Sequence, residues 1–341
     1  MSDAHSVNIK VFLTLIIVMS IVIFPRFDRL DRFGIDAYTT NGKPAAQALA
    51  DAGAYINHVR YFRGEVDETM LRAPWAYRPL PTFLASLLPL NAMTSINVVN
   101  FIFLSLGLFF LLKTLGFMRL NPKIITLGGF AYVISFPVFF YGAVGYIDPV
   151  LVGMLGIGQY LTLNNQNKSF FALLILGALV KDPYIIILPA WLVYQYGNPD
   201  HSLLKVIAIS VIAMLVFVSL IYFVRQVTPV DSGFFWHPNQ EYLDFNLYRK
   251  NAWITSLITL VPIGVFAFWF CLRENFSLIE ERALASLTVG FCGAIAVLIY
   301  SFFSVYVDGR YIWIAYPFMI PLACKYLDDG LKKRFPSMVN N

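Results

Sequence analysis

Apolar runs separated by short polar turns fill most of this chain. The pattern predicts helices over 7–25, 79–93, 96–115, 124–142, 146–163, 169–180, 183–197, 203–224, 252–272, 283–303 and 311–327. A helix needs about 20 mostly apolar residues to cross a bilayer. The expected fold class is therefore all-α, a polytopic transmembrane helix bundle of about 9–11 membrane segments, some short or broken. The short segments 79–93, 169–180 and 183–197 are tolerated at membrane depth only inside protein or beside a cavity, so they are expected to wall a site.

Two polar stretches interrupt the pattern, 26–75 and 225–250. Within the first, Ala46, Leu49, Ala50, Gly53, Ile56 and Val59 recur at a period near 3.6, predicting an amphipathic helix over 44–63 that lies along the membrane. Asp51, Tyr55 and His58 fall on a separate stripe of that helix. The whole chain reads as one membrane domain, 1–341, with 26–75 and 225–250 as its two outer loops.

Composition sharpens the class. Of 341 residues, 58% are hydrophobic and only 13% charged, about half the charge of a soluble domain. That excludes an ordinary cytosolic enzyme and a disordered chain. The three cysteines, Cys271, Cys292 and Cys324, lie far apart without metal-ligand spacing, so neither a disulfide framework nor a zinc site is expected. The run 7–25 lacks a small-residue cleavage site after Phe24 and reads as a retained anchor.

The net charge of +5 is a matter of sidedness. Basic residues gather in 113–123, in the turn 164–168 and in the tail from Lys325 to Arg334, which places these segments and both termini in the cytoplasm. The excess then lies inside and implies no nucleic-acid partner. Loop 26–75 holds equal numbers of basic and acidic residues and faces outward. For the path to close, either 79–93 is re-entrant or juxtamembrane, or one segment boundary in 79–115 lies elsewhere.

Candidate chemistry collects on that outer side. Arg78, in Trp75-Ala76-Tyr77-Arg78-Pro79, is either an interfacial anchor or a fork for a phosphate or carboxylate. Asp148, followed by Pro149, is either a helix cap or a substrate ligand. Lys181-Asp182-Pro183 interrupts an apolar stretch, either as a self-neutralising pair or as a functional one. Loop 225–250 adds His237 among aromatic side chains that can sit in the interface or stack on a sugar ring. Asp308-Gly309-Arg310-Tyr311 opens the last segment, with Arg310 an anchor or a phosphate ligand. No phosphate-binding glycine loop or dinucleotide motif is present. Gly153, Gly156 and Gly158 lie within 146–163, where small residues signal close helix packing. A transferase built this way takes its donor from the membrane.

The order of these features resembles the GT-C superfamily of membrane glycosyltransferases, which use polyprenyl-phosphate-linked sugars. The resemblance rests on Asp51-Ala-Gly-Ala-Tyr55 after an anchor helix, Tyr77-Arg78-Pro79-Leu80, Asp148, Lys181-Asp182 leading to Pro189, and Arg310-Tyr311 leading to Pro317. It implies a GT-C-like bundle in a bacterial inner membrane with its site facing outside. It further implies sugar transfer with inversion from a polyprenyl-phosphate donor to a hydroxyl of a glycan, lipid or protein acceptor. Asp51 would be the general base, with Asp36 its rival in the same loop. Arg310, Lys181 and Arg78 would hold the donor phosphate. Asp148, Tyr55, His58, Asp182, His237 and Asp308 would position substrate. No cofactor is expected, with a divalent cation left open. The competing readings are a lipid-linked-sugar transporter or flippase, an O-antigen-type polymerase or ligase, and a scaffold subunit of an envelope complex.

Overall fold

The structure, a computed structural model, describes residues 7–27, 50–196, 198, 202–230, 237–261, 263–273 and 281–334. It is all-helical, with no strand among the described residues. In chain order the first helices are α1 (Ile9–Ile23), α2 (Ala50–Phe62), α3 (Pro79–Ser86) and α4 (Ala92–Phe117). Then come α5 (Pro122–Val133), α6 (Phe136–Tyr141), α7 (Asp148–Leu163), α8 (Asn167–Ala178) and α9 (Ile187–Tyr196). The remainder are α10 (Leu203–Val227), α11 (Gln240–Tyr248), α12 (Lys250–Leu260), α13 (Ile263–Arg273), α14 (Arg282–Ser304), α15 (Arg310–Trp313) and α16 (Tyr316–Arg334).

Among the described residues, four stretches are long and apolar enough to cross a membrane: Ala92–Phe117, Pro122–Tyr141, Leu203–Val227 and Arg282–Ser304. A fifth is added if α12 and α13, bent by 67°, count as one span. The α10 surface leaves Leu204, Ile207, Val211, Leu215, Val218 and Phe223 exposed. An apolar face of that extent belongs in hydrocarbon rather than water.

Several expected segments are broken where the backbone loses a partner. The expected helix 79–93 stops at Ser86. Pro89 cannot donate a helical hydrogen bond, and the Asn91 side chain accepts from Thr94 N (2.8 Å) to start α4 afresh. Arg63 takes the carbonyls left at the end of α3, donating to Ala85 O (3.2 Å) and Leu88 O (2.8 Å) as well as to Ser95 Oγ (2.9 Å). At about 1.5 Å per residue the eight-residue α3 is too short to cross a bilayer. The expected span 183–197 begins as a 3-10 turn over Asp182–Ile186 before α9. The expected span 252–272 divides into α12 and α13, with Pro262 in the gap. The expected span 311–327 divides into α15 and α16. The second outer stretch begins later than 225, because α10 runs to Val227. Of the amphipathic helix expected over 44–63, Ala50–Phe62 is seen and 44–49 lies outside the described residues.

The central contact pairs α4 with α7. Glycine permits it: a Cβ on Gly153 would lie 2.2 Å from Phe103 O, and one on Gly107 would lie 2.9 Å from Gly153 Cα. The bundle has two chemically different ends. At one, Asn121 N donates to Asp328 Oδ1 (3.1 Å), Gln195 Nε2 donates to Asn165 and Asn167 (both 3.2 Å), and the Arg282 guanidinium lies over Tyr194 (4.7 Å). These contacts join the turns and tail that are rich in basic residues. At the other end stand α2, the starts of α7 and α15, and the end of α14.

Candidate functional site

Two buried asparagines of α4 prepare this second end. Asn97 Nδ2 donates to Ala143 O (3.2 Å) and Phe27 O (2.9 Å), while its Oδ1 accepts from Gly145 N (3.1 Å). Asn100 Nδ2 donates to Tyr146 O (2.6 Å). Gly145 itself has φ +73°, a conformation costly for residues with a Cβ. The chain is thus fixed in place immediately before Tyr146 and Asp148. A second tether joins the Arg78 and Lys181 segments, since Leu80 N donates to Leu179 O (3.1 Å).

On this frame the charged residues converge. Lys181 Nζ donates to Asp148 Oδ1 at 2.6 Å, with the Asp148 side chain only 4% exposed. Arg310 Nη1 donates to Asp51 Oδ2 at 2.6 Å and lies 3.9 Å from Asp148 Oδ2. Arg310 Nε reaches both oxygens of Asp308 at 3.0 Å, and the guanidinium sits over Tyr146 at 4.3 Å. Arg78 donates to the Tyr55 hydroxyl. Burial pushes the Tyr55 phenol above its ordinary pKa, with Arg78 opposing that shift. Three carboxylates from distant parts of the chain therefore surround one guanidinium, whose planar fork suits several acceptors at once.

A cavity of about 800 Å³ opens beside this cluster. Asp51, Arg78, Lys181, Asp182, Asp308 and Arg310 line it. An aromatic wall is added by Trp75, Tyr242, Phe245, Tyr300, Tyr306 and Tyr311. The arrangement offers carboxylates, cations and flat apolar faces in one space, which suits a polar, anionic ligand carrying rings or a hydrocarbon tail.

The candidate residues divide by place. Asp148 and Tyr55 do not line the cavity but hold Lys181 and Arg78, which do. His58 lies away from it, 3% exposed, with Nδ1 3.1 Å from Thr82 Oγ1 and its ring stacked on Phe62. Burial lowers its pKa to about 4. His237 is exposed and is not part of the lining. For both histidines the placement has one physical reason: alignment on a helix face or presence in a loop does not decide which side meets a cavity. Lys181 and Asp182 do not neutralise each other; Lys181 turns to Asp148, and Asp182 to Arg225 at 3.3 Å. Asp148 makes no side-chain cap on α7. Asp36 lies outside the described residues. Among the described residues no group of three or more His, Cys, Asp or Glu side chains is placed to hold a metal ion.

Sequence reasoning passed over Arg225, Tyr146, Asn97 and Asn100. The pair of asparagines three apart in an apolar run was a usable signal, since buried amides must find partners. Compared with protein families, with curated proteins and with solved structures, this chain finds no match.

Proposed function

We propose that this chain is an integral-membrane glycosyltransferase of the GT-C type. It moves a sugar from a polyprenyl-phosphate donor to a hydroxyl of a glycan, lipid or protein acceptor. In this reading the bundle has about 9–11 membrane segments, some short or broken, in a bacterial inner membrane. Both termini lie in the cytoplasm and the cavity faces outside. The contacts at the end opposite Asp51, which join the basic turn before Asn121 to the tail and the turn at Asn165 to the end of α9, support this sidedness.

One observation carries the reading: Asp51 shares a cavity with the cations Arg78, Lys181 and Arg310 and with an aromatic wall. Arg310 engages Asp51 through Oδ2, which leaves Oδ1 to accept the proton of an acceptor hydroxyl. The acceptor oxygen then bonds to the anomeric carbon from the face opposite the phosphate. The bond from that carbon to the phosphate oxygen breaks, and the lipid phosphate leaves with the electron pair. Cations on the wall stabilise the charge that develops on it. The sugar is inverted at its anomeric carbon.

The reading is tested in a strain lacking the chain, analysed for lipid-linked sugars and surface glycan. The expected result is accumulation of one polyprenyl-phosphate sugar with a truncated glycan. Unchanged pools would contradict it. Movement of a labelled lipid-linked sugar across vesicles containing the protein, without transfer, would replace it with a flippase.

A further inference from the structure

The ion pairs of the cavity can be assigned cation by cation. Lys181 is bound to Asp148 at 2.6 Å, and Arg225 to Asp182 at 3.3 Å. Arg310 is bound to Asp51 at 2.6 Å and to Asp308 at 3.0 Å. Two cations on the cavity wall are different. Arg78 donates to the neutral phenol of Tyr55 and has no carboxylate within 4.0 Å among the described residues. Arg249 also lines the cavity and makes no ion pair with any described residue. Its guanidinium lies 5.7 Å from the Phe245 ring centroid. An anion that settles on Lys181 or Arg310 meets a cation whose charge a bound carboxylate already offsets. One that settles on Arg78 and Arg249 meets cations with no such carboxylate among the described residues.

Arg249 is held over the cavity by the arm that carries it. Asn246, fully buried, donates to Phe302 O (3.0 Å) and Val305 O (2.6 Å) and accepts from Val307 N (2.9 Å). Asn239 N donates to Phe303 O (2.7 Å). Tyr242 and Phe245 pack edge-on against Tyr306, at 5.3 and 4.7 Å. Helix α11 is thus fastened at its start and along its inner face to the end of α14, and Arg249 follows directly after it.

We infer that Arg249, together with Arg78, is the pair that recognises the phosphate of the lipid-linked donor, while Arg310 and Lys181 are held by carboxylates as the frame around Asp51. This rests on the reading of the cavity as a lipid-phosphate site. It adds a residue from the second outer loop that neither motif nor spacing pointed to. It also keeps only Arg78 of the three cations that the family resemblance implied and moves anion recognition away from Arg310 and Lys181.

The test is equilibrium binding to the full chain in nanodiscs, with undecaprenyl phosphate, undecaprenol and inorganic phosphate as probes. Wild type is expected to prefer undecaprenyl phosphate to undecaprenol. Arg249→Gln is expected to weaken the phosphate lipid about tenfold, the scale of one charge-assisted hydrogen bond, and to leave undecaprenol unchanged, which also shows that the variant is folded. Arg249→Lys is expected to recover part of the loss. Inorganic phosphate is expected to compete only at concentrations about a hundredfold higher or more, because it lacks the chain. Undiminished phosphate preference in Arg249→Gln overturns the inference and leaves the proposed function standing. Equal loss of both lipids overturns it as well, because Arg249 would then serve packing. Equal potency of inorganic and lipid phosphate overturns the lipid assignment. A wild type that does not distinguish undecaprenyl phosphate from undecaprenol overturns this inference and the proposed function together.

Discussion

Arg310 reaches Asp51 across 2.6 Å, joining two residues 259 positions apart. The contact closes the candidate site, since Asp51 enters on α2 and Arg310 opens α15. Arg310→Ala would leave Asp51 and Asp308 without their shared cation, and removing one partner of such a buried pair costs about 3–5 kcal/mol. The side chain of Asp51 is 23% exposed, so the low end of that range is expected. Adding Asp51→Asn to Arg310→Ala should recover part of the loss. Thermal unfolding of the single and double variants in detergent measures this coupling.

Asn97 holds the segment that precedes Asp148 with three hydrogen bonds. Asn97→Ala is expected to destabilise by about 2 kcal/mol or more, because buried backbone groups lose their partners. It is expected to lower transfer further by releasing Tyr146 and Asp148. Ser105→Ala, on the same helix, removes only a bond to Phe101 O within the helix and should leave both unchanged. Paired melting and activity measurements on the two variants check this.

His58 carries a pH signature. Burial depresses its folded pKa from 6.5 to about 4, so between these values the unfolded chain binds a proton that the folded chain does not. Stability therefore falls as pH drops from about 6.5 towards 4, and no such loss arises from this group above 6.5. His58→Gln is expected to flatten that part of the melting profile. Melting temperatures from pH 4 to 8 for both proteins provide the measurement.

Gly153 sets the α4–α7 distance. A larger side chain would drive Cβ into Phe103 O. Gly153→Val is expected to cost about 3 kcal/mol, the upper part of the overpacking range, and to reduce the yield of folded protein on size-exclusion chromatography. Gly64→Ala, with no atom within 4 Å of its Cβ, keeps its fold at a smaller cost set by its φ of +70°.

Apolar patterning made the helical class and most helix positions legible. It failed where a break needs a partner far along the chain. Pro89 hinted that 79–93 would end early, but only the folded chain shows Arg63 taking up the carbonyls of α3. Charge rarity pointed to Asp51, Arg78, Lys181, Asp182, Asp308 and Arg310, which do line one cavity. Their pairing was hidden: the neighbours Lys181 and Asp182 part to Asp148 and Arg225. His58 looked polar and aligned with Asp51, yet it faces Thr82 inside the protein. Helical spacing fixes a direction around one axis, while the neighbours that meet it come from elsewhere in the fold.

The central claim is that Asp51 removes a proton during sugar transfer. Its most direct test uses purified wild type and Asp51→Asn in nanodiscs, supplied with the polyprenyl-phosphate sugar that accumulates in the deletion strain and with a glycan acceptor. Release of polyprenyl phosphate is followed over time. Wild type is expected to release it in step with product, and Asp51→Asn to be slower by about 10²–10⁴-fold, the usual contribution of a general base, with melting temperature and donor binding retained. Full activity in Asp51→Asn would contradict the account.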